Sequence, residues 1–366
     1  MAVKTDANAV ATHPAVDTDG RKLLAQLVSI RSVSGNEREA AEALAAFFEQ
    51  HDRTVEIDEI GNVRAPADDT VLLTSHIDTV PGEIPVEVVE GDDGAELWGR
   101  GSVDATGSLA AMAVAAVETG ASFVGVVGEE SDSRGAWHLV DDRVAPDAVI
   151  NGEPSGWNGI TLGYRGLLEG TYVATSESGH SSRPDPNAIQ HAMNWWNRVD
   201  RVFEPDEWVP VFEQVTTKPI DFEGGISVDG LSMEATMEFQ LRVPPARTPD
   251  EVRVLADAEL ETGTVNWTGS TPPVMTSPRT EVARVFRVAI RDAGGDPRLL
   301  RKTGTSDMNV YAAHWDCPMV TYGPGNSDLD HAPDEHLSLD EFDTSVAVLI
   351  DVCEKLGVEP TEETTA

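Results

Sequence analysis

Short apolar runs alternate with helix-like segments along most of the chain. Apolar stretches of strand length occur at residues 71–74, 123–127, 148–150 and 319–322. The spacing of apolar positions is helical at residues 21–30, 37–50, 108–118 and 281–293. Strands that alternate with helices indicate an α/β domain, with a mixed and mostly parallel sheet flanked by helices.

The segment 165–271 has a different pattern. Its strands at 167–175 and 233–243 alternate between apolar and polar residues, and helical patterns follow at 188–201 and 249–261. This α+β pattern predicts a second domain inserted into the first. The predicted organisation is a disordered tail at 1–20, a catalytic domain formed by 21–164 and 272–359, and the insertion at 165–271.

The two ends of the chain carry no signal of membrane insertion. The first residues lack the apolar core of a signal peptide, and no apolar run approaches the roughly 18 residues of a membrane span. The sequence therefore predicts a cytoplasmic protein with a solvated tail at each end.

Net charge narrows the choice of partners. The chain has 64 acidic and 26 basic residues, a formal charge of −38, and the acids are spread over its whole length. An acidic surface repels nucleic acids and anionic membranes, so we expect neither as a partner. The density of charge also predicts a halophilic protein. The acidic residues repel one another, and molar salt screens this repulsion within about 3 Å.

Candidate chemistry is concentrated where the predicted strands end. The histidines and carboxylates at these points are His76, Asp104, Glu129, Glu130, Glu153 and His331. The carboxyl ends of parallel strands meet at one edge of a sheet, so these side chains should converge. Their nitrogen and oxygen donors suit zinc, cobalt or manganese, and their number exceeds the needs of one tetrahedral ion. A carboxylate that bridges two ions about 3.5–4 Å apart would use the whole set.

Each of these residues has an ordinary interpretation when it is taken alone. Asp104 stands before a helix and could be its cap, and Glu129 with Glu130 could be a solvated loop in so acidic a chain. The joint placement at strand ends favours a metal site. Ser181 and Ser182 lie beside His180, but the chain has no Gly-x-Ser-x-Gly motif, so we discount a serine nucleophile.

Six ordered motifs resemble the co-catalytic zinc amidohydrolase and peptidase family, which includes acetylornithine deacetylase, succinyl-diaminopimelate desuccinylase and carboxypeptidase G. They are SHIDTVP at 75–81, WGRGSVD at 98–104, GEES at 128–131, NGEP at 151–154, GHSSRP at 179–184 and DH at 330–331. The likeness extends over nearly the whole chain, from residue 75 to residue 336.

The resemblance implies two divalent metal ions, zinc first, with cobalt able to substitute. One ion would take His76, Asp104 and Glu153, and the other would take Asp104, Glu130 and His331. Asp104 would therefore bridge the two ions.

The family also implies roles for residues that bind no metal. Asp78 would orient the histidine that precedes it, and Glu129 would be the general base. The inserted domain would act as a lid and form a homodimer, in which His180 reaches the active site of the other subunit. Arg242 stands where the family often has an arginine for the substrate carboxylate.

Within the family, residues 153–166 and 302–309 resemble the branch that releases lysine or ornithine from the C-terminal glutamate of an amino-group carrier protein, in lysine and arginine biosynthesis. Two alternatives stay open at this stage. The chain could be an acetylornithine deacetylase, a succinyl-diaminopimelate desuccinylase or a dipeptidase of the same family. It could also be a homologue that binds metal or peptide without catalysis.

Overall fold

A computed structural model describes residues 10–91 and 94–359. Within these residues the helices are α1 (Asp19–Val28), α2 (Arg38–Gln50), α3 (Thr106–Thr119), α4 (Arg134–Asp142), α5 (Ala188–Phe203), α6 (Pro249–Ala258), α7 (Glu281–Asp292), α8 (Asp307–His314) and α9 (Leu339–Leu356), with short 3₁₀ turns at Val211–Glu213 and Ser327–Leu329.

The strands follow the same chain order. They are β1 (Glu56–Ile57), β2 (Val63–Ala65), β3 (Asp68–His76), β4 (Glu87–Gly91), β5 (Gly94–Trp98), β6 (Ala121–Val126), β7 (Val149–Gly152), β8 (Gly159–Tyr164), β9 (Gly166–Glu177), β10 (Thr216–Ile226), β11 (Ser232–Val243), β12 (Thr264–Thr271), β13 (Val274–Met275), β14 (Arg298–Lys302), β15 (Met319–Thr321) and β16 (His336–Ser338).

A large mixed sheet forms the centre of the first unit of the fold. Its order begins β1-β2-β6-β3-β7-β15-β8, and β13 and β14 both pair with β8. The four strands β6, β3, β7 and β15 run parallel to one another. These are the four strands that the apolar runs predict, so the α/β class with a mostly parallel sheet is confirmed. A small sheet of order β16-β5-β4 accompanies the large one.

Helix α3 lies at the heart of the first hydrophobic core. Its small side chains are buried on nearly all sides, and the core also includes residues of α1 and α9. Alanine allows this burial because its small side chain lets neighbouring elements pack close to the helix. The helix ends at Gly120, whose φ of 83° is a left-handed conformation that favours glycine.

The second unit is an antiparallel sheet of order β10-β11-β9-β12 with helices against it. Alternate residues of β9 and β11 are buried, as the alternating pattern predicts. Their core contains Tyr172, Trp195 and Phe239, and the ring centroids of Tyr172 and Trp195 are 4.8 Å apart. Trp195 is fully buried and donates its indole N–H to the carbonyl of Ala256.

The described residues divide into two compact units. The second comprises Gly163–Met275 together with Arg301–Asn309, and the remaining described residues form the first. The predicted insertion at 165–271 lies inside the second unit. Residues 301–309 were expected in the catalytic domain, but they join the second unit because Asn309 donates to the carbonyls of Arg165 and Pro272.

The prediction of a disordered tail needs correction. Residues 1–9 of that tail, and residues 360–366 at the other end, lie outside the described residues. Residues 10–20 are ordered, with Val10 and Val16 only 4% and 3% exposed in the first core. The two valines pack into this core, and the side chain of Thr18 caps helix α1 by accepting the backbone N–H of Arg21.

Among residues 10–91 and 94–359, the helices are either too short or too polar to cross a membrane.

Candidate metal centre

The residues predicted to converge lie at one edge of the parallel strands. His76 is the last residue of β3, and Glu153 directly follows β7. Glu130 lies in the turn after β6, and Asp104 stands two residues before α3. His331 lies in the loop that follows β15. The edge where four parallel strands end therefore gathers both imidazoles and three carboxylates, as expected from the sequence.

Asp104 is central in this cluster. Its Oδ1 is 3.3 Å from Nε2 of His76, and its Oδ2 is 3.2 Å from Nε2 of His331. The same His331 nitrogen is 3.1 Å from Oε2 of Glu130. Glu153 is further out, with Oε1 4.0 Å from Nε2 of His76. The two oxygens of one carboxylate thus face two different imidazoles.

The donor set fits divalent metal ions. Ligand atoms of His76, Asp104 and Glu130 all lie within 4.8 Å of one another. Two ligands at about 2.0–2.2 Å from a tetrahedral zinc ion are themselves roughly 3.3 Å apart, which is close to the observed spacings. The set combines imidazole nitrogen with carboxylate oxygen, and metal binding by these residues stays a prediction.

The electrostatics of the cluster agree with a site for cations. Burial works to lower the pKa of His76, but hydrogen bonding to Asp104 and the charges of Glu153 and Glu129 raise it well above its usual value. Hydrogen bonds to Asp104 and Glu130 raise the pKa of His331 to about 10. Burial works to raise the pKa of Asp104, yet the two imidazoles hold it well below its usual range. The negative charge of the carboxylates thus exceeds the positive charge that the two imidazoles can supply, and the site favours positive charge.

Asp78 connects His76 to the turn after β6 through hydrogen bonds. Its backbone carbonyl lies 2.7 Å from Nδ1 of His76, while its carboxylate is further from that ring, at 3.7 Å. The carboxylate instead accepts backbone N–H groups of Gly128, Glu129 and Glu130, at 2.9, 3.0 and 3.2 Å. The predicted orientation of His76 is therefore exerted by the carbonyl, and the side chain fixes the turn that carries the two glutamates.

The turn after β6 presents two adjacent glutamates differently. Gly128, with φ of 80°, makes the turn in a conformation that favours glycine. Glu130 contributes a ligand atom to the cluster, whereas Glu129 is outside that group. The charge of Glu129 still raises the pKa of His76, which places the carboxylate within electrostatic range of the cluster.

Glu335 is a functional candidate that sequence analysis missed. The side chain is fully buried, and its Oε1 accepts the backbone N–H groups of Val103 and Asp104 at 2.9 and 3.0 Å. Its Oε2 pairs with Arg100 at 2.8 Å. The loop that carries Asp104 is therefore held by one buried carboxylate. One glutamate before a short strand gives no signal among 64 acidic residues.

His180 and Arg242, which the family resemblance singled out, belong to the second unit. His180 is exposed in the loop after β9, and its Nδ1 lies 2.8 Å from the hydroxyl of Ser182. Arg242 lies on β11, and burial lowers its pKa. Burial and the charge of Arg242 lower the pKa of Arg165 to about 10, so two cationic groups lie close together.

Known hydrolases resemble this chain over most of its length. The sequence profile described as peptidase family M20/M25/M40 matches residues 72–355. A LysW-lysine hydrolase of Deinococcus radiodurans is 39% identical, with 92% of this chain and 96% of that protein covered. A LysW-lysine/LysW-ornithine hydrolase of Sulfurisphaera tokodaii is 30% identical, with 92% and 95% covered.

Solved structures show the same fold at lower identity. The aminopeptidase PepT of Bacillus cereus superposes with a TM-score of 0.76 at 20% identity, over 92% of this chain and 99% of that one. The metallo-carboxypeptidase Sso-CP2 of Sulfolobus solfataricus gives 0.75 at 18% identity, over 94% and 99%. At these identities the likeness establishes the fold alone.

Proposed function

Since the chain belongs to the peptidase family M20/M25/M40, we propose that this hydrolase uses two divalent metal ions to release lysine or ornithine from the C-terminal glutamate of an amino-group carrier protein. The relatives named for LysW-lysine and LysW-ornithine support this substrate, because they match 92% of the chain at 30–39% identity. The observation that carries the reaction type is the position of Asp104 between two imidazoles.

We assign the protein ligands in two sets that share Asp104. His76 and Glu153 complete one set, and Glu130 and His331 complete the other. Bound ions would activate water as a nucleophile and polarise the amide carbonyl. Zinc is the metal we propose first, because the mixed set of imidazoles and carboxylates suits it, and cobalt accepts the same donors.

Glu129 is the group that we assign to proton transfer. Its backbone is fixed by Asp78, and its carboxylate is outside the group of ligand atoms. A carboxylate so held can take a proton from the attacking water and return it to the departing amine. For Glu129 to transfer protons beside the proposed ligand Glu130, the turn must keep the two carboxylates apart.

We assign recognition of the substrate carboxylate to Arg242. This guanidinium lies close enough to Arg165 for its charge to lower the pKa of that residue. Two neighbouring cations attract an anion, and a guanidinium binds a carboxylate through two parallel hydrogen bonds. The free α-carboxylate of a carrier-bound lysine or ornithine would satisfy this requirement.

The second unit has a surface suited to a homodimer. Strand β10 is an edge strand, and most of its residues are exposed on both faces. Ile220, Phe222 and Ile226 are 53%, 41% and 68% exposed. An exposed edge strand that carries apolar side chains can pair with another chain, so we propose that two copies meet there and that His180 serves the partner's site. Sedimentation velocity should then give twice the chain mass of 39.3 kDa.

The proposed setting is a halophilic cytoplasm, where the enzyme would act in lysine and arginine biosynthesis. The test of the function is metal removal and restoration with carrier-bound lysine as substrate. Release of lysine should be lost after chelation and return with zinc or cobalt, but not with magnesium. Full activity in the chelated protein would contradict the proposal.

A further inference from the structure

One stretch of the chain departs from its general acidity. Residues 276–302 hold seven of the 26 basic residues and only three of the 64 acidic ones. The segment is therefore net positive in a chain whose overall charge is −38. The segment includes helix α7, which belongs to the same compact unit as the metal cluster.

Helix α7 has one buried face and one arginine-rich face. The buried residues are Val282, Ala283, Phe286, Ala289 and Ile290. Arg284, Arg287 and Arg291 are spaced i, i+3 and i+7, so they lie side by side along the opposite face. Val288 lies among them and is 43% exposed. We call these three arginines, with Arg279 just before the helix, the arginine stripe.

The arginine stripe is not neutralised by the protein itself. Among residues 10–91 and 94–359, Arg279, Arg284 and Arg291 form no ion pair, although acids are abundant elsewhere. Arg287 donates to the backbone carbonyls of Ala283 and Pro278, at 3.1 and 2.9 Å. By contrast, an exposed arginine such as Arg38 on helix α2 pairs with an acid of its own helix.

We propose that the arginine stripe is the docking surface for an acidic face of the protein that carries the substrate. The inference rests on the proposed function and adds the place where the carrier binds. Guanidinium groups make paired hydrogen bonds with carboxylates, and arginine is enriched in protein interfaces. Val288 supplies the apolar contact that such an interface needs at its centre.

A compact acidic protein fits the stripe better than an extended polyanion. A nucleic acid or an anionic membrane would extend beyond the stripe to the generally acidic surface of the chain and be repelled. High salt removes attraction beyond about 3 Å, but charge-assisted hydrogen bonds of about 2.7–2.9 Å fall within that range. Direct contact pairs would therefore persist where long-range attraction is lost.

The test compares one enzyme on two substrates. One substrate is lysine on the intact carrier, and the other is the small amide in which the side-chain carboxyl of glutamate is joined to the α-amino group of lysine. The Arg284→Glu/Arg291→Glu variant should raise KM for the carrier-borne substrate about tenfold or more. It should leave kcat/KM for the small amide within twofold, because neither arginine belongs to the metal cluster.

The control reverses two exposed arginines on other helices, Arg38→Glu and Arg253→Glu, and so makes the same change in net charge. This control should keep the carrier KM of the original enzyme. An unchanged carrier KM in the stripe variant, or an equal rise in the control, would overturn the proposal. The proposal would also be overturned if the stripe variant lost binding to an RNA oligonucleotide while its KM for the carrier-borne substrate stayed unchanged. If the original enzyme cleaved neither substrate, the proposed function itself would fail, and the docking site with it.

Discussion

At the scale of single residues, the two glutamates of the turn after β6 differ in their relation to the histidine and carboxylate cluster. Glu130 offers its carboxylate to His331, and Glu129 is outside the group of ligand atoms. Both backbone N–H groups are held by the carboxylate of Asp78. We therefore propose different roles for these two neighbours in sequence.

Replacement of Glu129 separates proton transfer from metal binding. Glu129→Gln keeps the size of the side chain but removes the base, so kcat should fall by about 10²–10⁴-fold. Metal content, measured by atomic emission, should stay normal. The matched variant Glu130→Gln should instead lower metal content, because that residue contributes a ligand atom. Near-normal turnover in Glu129→Gln with full metal content would rule out the assignment.

The residues at strand ends could be predicted from sequence, but their supporting hydrogen bonds could not. His76 and Glu153 follow apolar runs, and that placement alone brings them to one edge. The carboxylate of Asp78 was expected to orient His76, yet it accepts three backbone N–H groups of the turn after β6. Such contacts depend on the path of a loop distant in sequence, which residue patterns do not encode.

At the scale of elements, the loop between β5 and α3 is held in part by one buried carboxylate. Glu335 is fully buried, accepts from the backbone of Val103 and Asp104, and pairs with Arg100. This residue contacts no proposed ligand atom. It acts on the backbone that carries Asp104, so we regard it as a positioning residue.

Glu335 variants test this support by metal affinity. Glu335→Ala leaves the N–H groups of Val103 and Asp104 without this acceptor and Arg100 without its ion pair, so zinc affinity measured by calorimetry should fall about 10–100-fold. Glu335→Gln keeps an oxygen acceptor and should restore part of the loss. The matched control is Asp58→Ala, which breaks a similarly buried pair with Arg64 and should leave zinc affinity unchanged. Equal zinc affinity in folded Glu335→Ala would contradict the role.

The element pattern was predicted well where burial determines it. The four parallel strands and helices such as α3 and α7 have apolar patterns that only buried elements require. Residues 301–309 escaped prediction because their place in the second unit depends on the contacts of Asn309. The strands β4, β5 and β16 were also missed, since most of their residues are not fully buried.

At the scale of the whole molecule, the net negative charge is the dominant feature. The acids are spread over the chain, and the surface therefore carries most of the charge of −38. Mutual repulsion of these charges weakens the compact state at low salt, and screening relieves it. Composition alone gives this expectation, and the basic segment that includes helix α7 is also visible in the sequence. Only the structure shows that arginines of that helix have no acidic partner among the described residues.

Thermal unfolding measures this effect directly. The melting temperature should rise by several degrees from low to molar potassium chloride, because ions screen the repulsion. Sucrose at equal osmolality is the control, since it adds no screening. A melting temperature that stays flat or falls across the salt range would contradict the halophilic interpretation.

The central claim is that a two-metal site hydrolyses an amide presented by a carrier protein. The most direct measurement is kcat/KM for lysine and ornithine on the carrier against acetylornithine and succinyl-diaminopimelate, in molar salt with zinc or cobalt. We predict that the carrier-bound substrates are cleaved at least about tenfold more efficiently, because the binding energy of the carrier adds to that of the reacting group. Equal or faster turnover of acetylornithine would contradict the account and assign the protein to the deacetylases of its family.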